Sequence, residues 1–435
     1  MLISSKINKG INGIIKIPGD KSISHRSIII PAISKGTTEI SDILMSEDVM
    51  HTLDAFVSMG INIKKIKNKI IIEGKGLNGL QKPKNKINLG NSGTSARLLI
   101  GLLSSQKFDT TIIGDKSLSN RPMKRITDPL ELMNGKFNSN NGSLPLQIYG
   151  RELKNITYEI PMPSAQVKSG LILAALNTEK KTSIIENFIT RDHTEIMLNS
   201  FGADIDIEKR DEKTIINIIG KKELMPKNIF VPSDLSSSAF FIVAALINKN
   251  SNILLKNINI NKTRDGILKA LSLMNANIEI FNKTFLNNEN VADIRVSYSK
   301  LKGCHLNSEM AKYMIDEYPI LAIAASFAES PSLFQGLGEL KVKESNRLEL
   351  IRKNLINCGV YCEVNNDELF IDPSKKSEIK NNIIQTDFDH RIAMSFAVMG
   401  SVTNEDLNIM DSKSIDTSFP TFIKNFNHSG GNLIE

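Results

Sequence analysis

Six short segments of this chain are apolar nearly all round, and they return about every 70 residues. They cover 25–33, 96–103, 170–176, 239–247, 320–328 and 391–399. A helix with no polar face is buried inside a domain rather than laid on its surface, so the pattern predicts six interior helices. Pro31, inside the first, should kink or shorten it. Each segment is opened by a polar loop rich in Gly, Ser, Asn, Asp or Pro, such as Gly90-Asn-Ser-Gly-Thr-Ser95 and Pro163-Ser-Ala-Gln166. Such residues cap helices and line anion-binding turns.

A second, amphipathic helix follows in most copies. Val49, Leu53 and Phe56 share a face before Gly60. Ile196, Met197 and Phe201 do so before Gly202, Ile267, Leu271 and Met274 before Asn275, and Leu348, Ile351 and Leu355 before Gly359. Gly or Asn after the last turn is the expected left-handed terminator. Alternating segments such as Ile61-Asn-Ile63, Ala203-Asp-Ile205 and Ala276-Asn-Ile278 then read as strands. The copy at 129–135 is the most degenerate.

The fold class is therefore α/β, in six units that divide three and three. A length of 435 residues is too much for one ordinary core and agrees with two domains. The predicted domains are 20–232, with repeats one to three, and 1–19 together with 233–435, with repeats four to six. The segment 4–17 reads as an N-terminal strand of the latter, so the chain should cross between domains twice. A cleft between two such domains would collect six helix N-termini and concentrate positive potential there, and anionic ligands would favour its closure.

Composition narrows the class. Hydrophobic residues make up 41% and charged residues 23%, which describes a folded globular chain. The net charge of +7 admits nucleic acid, membrane surfaces or small anions. The basic residues form no long block, and there is no Trp and little Tyr, so a base-stacking surface has little support. Residues 1–10 hold no apolar leader core, and no stretch approaches about 18 uninterrupted apolar residues, so neither a signal peptide nor a membrane span is expected. Three cysteines without a Cys-x-x-Cys pair suggest a reduced, cytoplasmic protein.

The chemistry concentrates first at Pro18-Gly-Asp-Lys-Ser-Ile-Ser-His-Arg26. Ser22 or Ser24 can cap the helix, and Lys21, Ser22 and Arg26 crowd its positive end, which makes a ready anion site. On its own the stretch reads more readily as a surface cap with two solvated cations. Its five echoes favour the anion site. A P-loop is rejected, because the Gly-x-x-x-x-Gly-Lys spacing that should lead into Lys21-Ser22 is missing.

Taken together, Pro18 to Arg26, Leu89-Gly-Asn-Ser-Gly-Thr-Ser-Ala-Arg97, Gly114-Asp-Lys-Ser-Leu-Ser-Asn-Arg-Pro-Met123, Pro163-Ser-Ala-Gln-Val-Lys-Ser169, Thr190-Arg-Asp-His-Thr-Glu195, Val342-Lys-Glu-Ser-Asn-Arg347 and Asp389-His-Arg-Ile-Ala-Met394 closely resemble the 5-enolpyruvylshikimate-3-phosphate synthase family. The motifs stand in family order over the whole chain. The resemblance implies two inside-out α/β domains, each of three βαβαββ-like repeats with buried parallel helices. It implies transfer of the enolpyruvyl group of phosphoenolpyruvate to the 5-hydroxyl of shikimate 3-phosphate, through a tetrahedral intermediate, in the shikimate pathway to chorismate and aromatic amino acids. It implies no metal or organic cofactor, small-molecule substrates rather than nucleic acid or membrane as partners, and a monomer.

The resemblance also carries residue roles. Lys21, Ser22, Arg26, Ser164, Gln166, Arg191, Asp316 and Lys343 would hold shikimate 3-phosphate. Lys21, Gly93, Arg121, Gln166, Arg347 and Arg391 would hold phosphoenolpyruvate, with guanidinium groups gripping phosphate or carboxylate bidentately. Asp316 would accept the hydroxyl proton, Glu344 would serve the methylene carbon, and Lys21 would join them as a catalytic residue; His390 would be a supporting residue. Read from the residues alone, Asp316 could instead cap the helix at Tyr318, and Glu344 could be an ordinary i,i+3 partner of Arg347.

One position departs from the family pattern. Some members carry a Lys before the final Ser/Thr-Phe-Pro, where this chain has Thr417, and Lys413 is left out of the predicted site. The related UDP-N-acetylglucosamine enolpyruvyltransferases typically place a Cys before an Arg-Pro pair, and 114–123 contains none. A basic repeat scaffold for RNA would need no acids at helix starts.

Overall fold

The computed structural model describes residues 3–6, 8–66 and 69–435, and the chain divides into two units. One comprises Met1–Pro18, Pro232–Phe285 and Asn290–Glu435; the other comprises Gly19–Val231 and Leu286–Glu289. The tip of one hairpin, 286–289, thus counts with a different unit from its own strands.

The six apolar segments are helices: α1 (Lys21–Ala32), α2 (Gly93–Ser104), α3 (Ala165–Ala175), α4 (Leu235–Ile247), α5 (Tyr318–Ser326) and α6 (His390–Gly400). They are buried as their composition demands. In α4 every residue is buried, and α5 is buried throughout. Pro31 does not stop α1 early, because it falls in the last turn. There its missing N–H costs one bond, while its carbonyl accepts from the Ser34 N–H.

Among the described residues the strands form six four-stranded sheets, three in each unit. Every sheet pairs two parallel strands and completes itself with antiparallel ones. In the unit built on α1 to α3, Lys35–Ser41 runs parallel to Ile229–Phe230 and antiparallel to Lys69–Lys75. The first repeat therefore receives its edge strand from the end of the third. In the other unit Asn252–Asn259 runs parallel to Asn12–Ile15, so the fourth repeat receives its edge strand from the N-terminus. The segment predicted as one strand over 4–17 is in fact two, Ile3–Ser5 and Asn12–Ile15, in different sheets. Ile3–Ser5 pairs with both Leu407–Ile409 and Leu433–Ile434, completing the sixth sheet in place of a hairpin.

The second helices lie at Glu47–Ser58, Lys124–Leu132, His193–Ser200, Gly266–Leu273, Arg347–Asn357 and Phe422–His428. Their apolar faces are as predicted with one exception: Met197 and Leu198 turn inward and Ile196 is half-exposed. The degenerate second copy ends on Asn134 at φ 76°, so the left-handed residue there precedes Gly135. Two mid-helix glycines have a packing cause. A Cβ on Gly101 would lie 2.0 Å from the Gly170 carbonyl oxygen, so α2 and α3 touch backbone to backbone where the two glycines meet.

Candidate functional site

In the unit of residues 19–231, the cap of α1 is Asp20, whose carboxylate accepts from the Ile23 N–H at 2.9 Å. This corrects the choice of Ser22 or Ser24. Ser22 lies within the first turn, and Ser24 accepts instead from the Leu44 N–H. Asp20 takes the cap because the backbone turns into the helix at Lys21, leaving Ser22 and Ser24 inside it. Lys21 leaves the same turn and pairs with Asp48 Oδ2 at 2.5 Å.

Arg26 is almost wholly buried. Its Nε donates to Thr194 Oγ1 and its Nη2 to Ser169 Oγ, both at 2.7 Å, and Nη1 donates to the Ser22 carbonyl at 2.9 Å. Burial pushes its pKa down to about 10, against the pull of Glu195, Asp20 and Glu289, so it stays charged at neutral pH. Arg191 adds a like charge nearby. Beneath Arg26, Lys168 is clamped between Glu186 at 2.9 Å and Glu195 at 2.8 Å, all three buried. Burial opposes that ammonium charge, but the two glutamates outweigh it and hold its pKa above the ordinary value.

A second constellation gathers at the start of α2. Arg97 Nη1 donates to Gln166 Oε1 at 2.7 Å, and Gln166 Nε2 donates to Thr94 Oγ1 at 3.0 Å. Arg121 donates to Asn91 and Ser117. Gly93 lies between the two guanidinium groups: a Cβ there would stand 3.0 Å from both Arg121 Nη1 and Arg97 Nη1. Ser164 caps α3, accepting from the Val167 N–H. His25 ties the two constellations together, its Nδ1 2.8 Å from Thr52 Oγ1 and 3.1 Å from Ser95 Oγ. Burial, then Lys21 and Arg26, hold the imidazole pKa well below 6.5.

The other unit builds a cluster around Arg347, which is 1% exposed. Its three nitrogens face three carboxylates: Nε to Asp389 Oδ2 at 2.8 Å, Nη1 to Asp316 Oδ1 at 3.3 Å, and Nη2 to Glu344 Oε2 at 2.5 Å. Burial disfavours the cation, but Asp389, Glu344 and Asp316 outweigh it and raise its pKa far beyond the usual value. Lys343 Nζ stands 3.6 Å from Asp316 Oδ1. Arg391, at the start of α6, donates its backbone N–H to the Asp389 cap and its Nη1 to the Asp316 carbonyl at 3.1 Å. His390 is buried beside it. Lys413 lies exposed in the turn Ser412–Thr417.

Asp316 is not the cap residue of α5; that residue is Glu317, whose side chain makes no capping bond. Glu344 does pair with Arg347 at i,i+3, yet the same guanidinium also holds Asp316 and Asp389. Such an arrangement fixes two carboxylates, Asp316 and Glu344, beside two cations. It suits proton traffic next to an anionic ligand.

The predicted residues thus fall into two groups. Lys21, Ser22, Arg26, Gly93, Arg121, Ser164, Gln166 and Arg191 belong to one unit, and Asp316, Lys343, Glu344, Arg347 and Arg391 to the other. Asp48, Asn91, Thr94, Arg97, Glu317 and Asp389 bond or pair with them but are absent from the predicted set. Arg97 carried a signal, standing one helical turn after Gly93, and Asp389 carried another as the loop acid before His390 and Arg391. Asp48 carried none, since an acid in the first turn of an amphipathic helix reads as a dipole partner.

Comparison with known proteins identifies the lineage. The family model described as EPSP synthase (3-phosphoshikimate 1-carboxyvinyltransferase) matches residues 5–426. The 3-phosphoshikimate 1-carboxyvinyltransferase of Bartonella quintana is 44% identical over 427 residues, covering 97% of each chain. That of Hydrogenovibrio crunogenus is 41% identical over 437 residues, covering 99% of this chain and 98% of its own. Among solved structures, EPSP synthase from Acinetobacter baumannii superposes with a TM-score of 0.88 at 41% identity, covering 100% of this chain and 99% of that one. The enolpyruvyl transferase NikO from Streptomyces tendae superposes with a TM-score of 0.79 over 100% of this chain and 98% of its own. Its 13% identity speaks for the fold alone.

Proposed function

The chain belongs to the EPSP synthase family, and we propose that the two clusters described above together carry out its reaction. The enzyme transfers the enolpyruvyl group of phosphoenolpyruvate to the 5-hydroxyl of shikimate 3-phosphate and releases phosphate, in the shikimate pathway to aromatic amino acids. Each substrate brings a phosphate and a carboxylate. Lys21, Ser22, Arg26, Ser164, Gln166, Arg191 and Lys343 are assigned to shikimate 3-phosphate. Lys21, Gly93, Arg121, Gln166, Arg347 and Arg391 are assigned to phosphoenolpyruvate.

In the addition step the 5-hydroxyl oxygen bonds to C2 of phosphoenolpyruvate, its proton passes to Asp316, and C3 gains a proton from the Glu344 side. In the elimination step C3 gives a proton back, the C2–O bond to phosphate breaks, and the double bond returns. Lys21 stabilises the charge that develops between the substrates. The observation that carries this assignment is the Arg347 guanidinium, bonded on three different nitrogens to Asp316, Glu344 and Asp389. It would hold the two acid–base groups at fixed places whichever of them carries the proton. The bonds that Arg26 already makes leave two of its five N–H groups for a substrate phosphate.

The reading includes a cytoplasmic monomer that takes no nucleic acid. Free Cys304, Cys358 and Cys362 support a reducing compartment, and no helix among the described residues is long and apolar enough to cross a membrane. The residue assignment is tested with Asp316→Asn. Calorimetry should still detect both substrates, while kcat falls by about two to four orders of magnitude, the range of a lost general base. Undiminished turnover would remove Asp316 from the mechanism.

A further inference from the structure

Glu317 follows the proposed base directly, yet nothing in the reaction outlined above uses it. It occupies the N-cap of α5, but its side chain does not cap the helix. The Ser236 hydroxyl, from the first turn of α4, donates to its Oε1 instead. Ser236 Oγ in turn accepts from Arg264 Nη2 at 2.7 Å, and Arg264 pairs with Asp234 at 3.1 Å. These residues are buried, and Glu317 is only 2% exposed. Its Oε2 is buried without a hydrogen-bond partner among the described residues, an arrangement that costs stability.

That cost has a return at Oε1, the same oxygen that accepts from Ser236. Arg391 Nη1 stands 3.9 Å from Glu317 Oε1 and donates to the Asp316 carbonyl at 3.1 Å. Two consecutive residues, 316 and 317, thus hold one nitrogen of Arg391, by a hydrogen bond and a charge. The remaining donors of a guanidinium so held can meet a carboxylate or phosphate already aligned.

We propose that Glu317 is a positioning residue for phosphoenolpyruvate, acting through Arg391. The proposal rests on the assignment of Arg391 to that substrate. The carboxylate is anchored by the Ser236 hydroxyl, which Arg264 holds in turn, so it stays in place when the ligand arrives. A mobile counter-ion would instead compete with the ligand for Arg391. The two roles predict opposite signs: loss of the Glu317 charge weakens phosphoenolpyruvate binding if Glu317 positions Arg391, and strengthens it if Glu317 competes.

The test is steady-state kinetics on the full chain carrying Glu317→Gln, Ser236→Ala, Arg391→Lys, and Glu317→Gln with Arg391→Lys. Gln keeps the shape of Glu and its bond from Ser236 while removing the charge. Glu317→Gln should raise KM for phosphoenolpyruvate about tenfold, as one charge-assisted contact loses its alignment, and leave KM for shikimate 3-phosphate within about twofold. Ser236→Ala should move the same constant in the same direction by less. In the Arg391→Lys background, Glu317→Gln should add almost nothing. An unchanged or lowered KM for phosphoenolpyruvate in Glu317→Gln, beside a raised one in Arg391→Lys, overturns the proposal and leaves the site assignment standing. Both KM values rising together with a fall in thermal midpoint also overturn it, since that marks a structural role. An unmoved KM in Arg391→Lys overturns the assignment itself and the proposal with it. Should Glu317→Gln fail to fold, the sign of the change in Ser236→Ala decides.

Discussion

Gly93 shows how a single missing side chain shapes this chemistry. Two guanidinium groups, those of Arg97 and Arg121, stand 3.0 Å from where its Cβ would be. Gly93→Ala should therefore push one or both aside and raise KM for phosphoenolpyruvate by roughly tenfold or more, with a smaller effect on shikimate 3-phosphate; equal effects on both constants would contradict the placement. Lys168 makes a different case. Buried between Glu186 and Glu195, it offsets two charges that have no access to water. Lys168→Met should cost about 3–5 kcal/mol of unfolding free energy, measured by denaturant titration. A loss under about 1 kcal/mol would mean that the glutamates do not rely on it. At this scale the sequence was uneven evidence. The motif residues that carry charge could be named in advance. What those charges touch could not: Arg26 spends three N–H groups on Thr194, Ser169 and Ser22, and Lys21 finds Asp48, a residue with no motif of its own.

Helices are joined at the site by small polar contacts rather than by more apolar surface. His25 on α1, Thr52 on the helix Glu47–Ser58 and Ser95 on α2 form one buried hydrogen-bonded group. His25 Nε2 is buried without a partner among the described residues, so a proton there would be uncompensated. Burial first, then Lys21 and Arg26, hold the folded-state pKa well below 6.5. The sign of the linkage follows. Above about 6.5 the site is neutral in folded and unfolded chains alike and stability does not depend on it. As pH falls below about 6.5 the unfolded chain takes the proton first, and stability is lost at up to about 1.4 kcal/mol per pH unit. Denaturant titrations at pH 7 and pH 5.5 should show a smaller loss for His25→Asn than for the parent chain; equal losses would exclude His25 as a source. Apolar helices and their loops were legible because burial on every side leaves a composition that no surface helix has. Cap identity was not, because Asp20, Ser22 and Ser24 compete for one helix end and only the backbone path decides among them.

The whole molecule repeats one supersecondary unit six times, and the repeat was readable because each copy needs its own buried helix and its own terminator. The exceptions arise where the chain must close each set of three. The first sheet takes its edge from 229–230, the fourth from 12–15, and the sixth is completed by 3–5. Such pairings join residues more than 180 positions apart and leave no local pattern. Basic residues and helix starts together make anionic small molecules the natural ligands of a chain with a net charge of +7. The proposed function pairs two particular anions in one transfer. Its most direct test is to mix the purified full chain with shikimate 3-phosphate and phosphoenolpyruvate, without added metal, and follow inorganic phosphate. Release should need both substrates and match the shikimate 3-phosphate consumed. No release with this pair, or release only when a UDP-sugar replaces shikimate 3-phosphate, would contradict it.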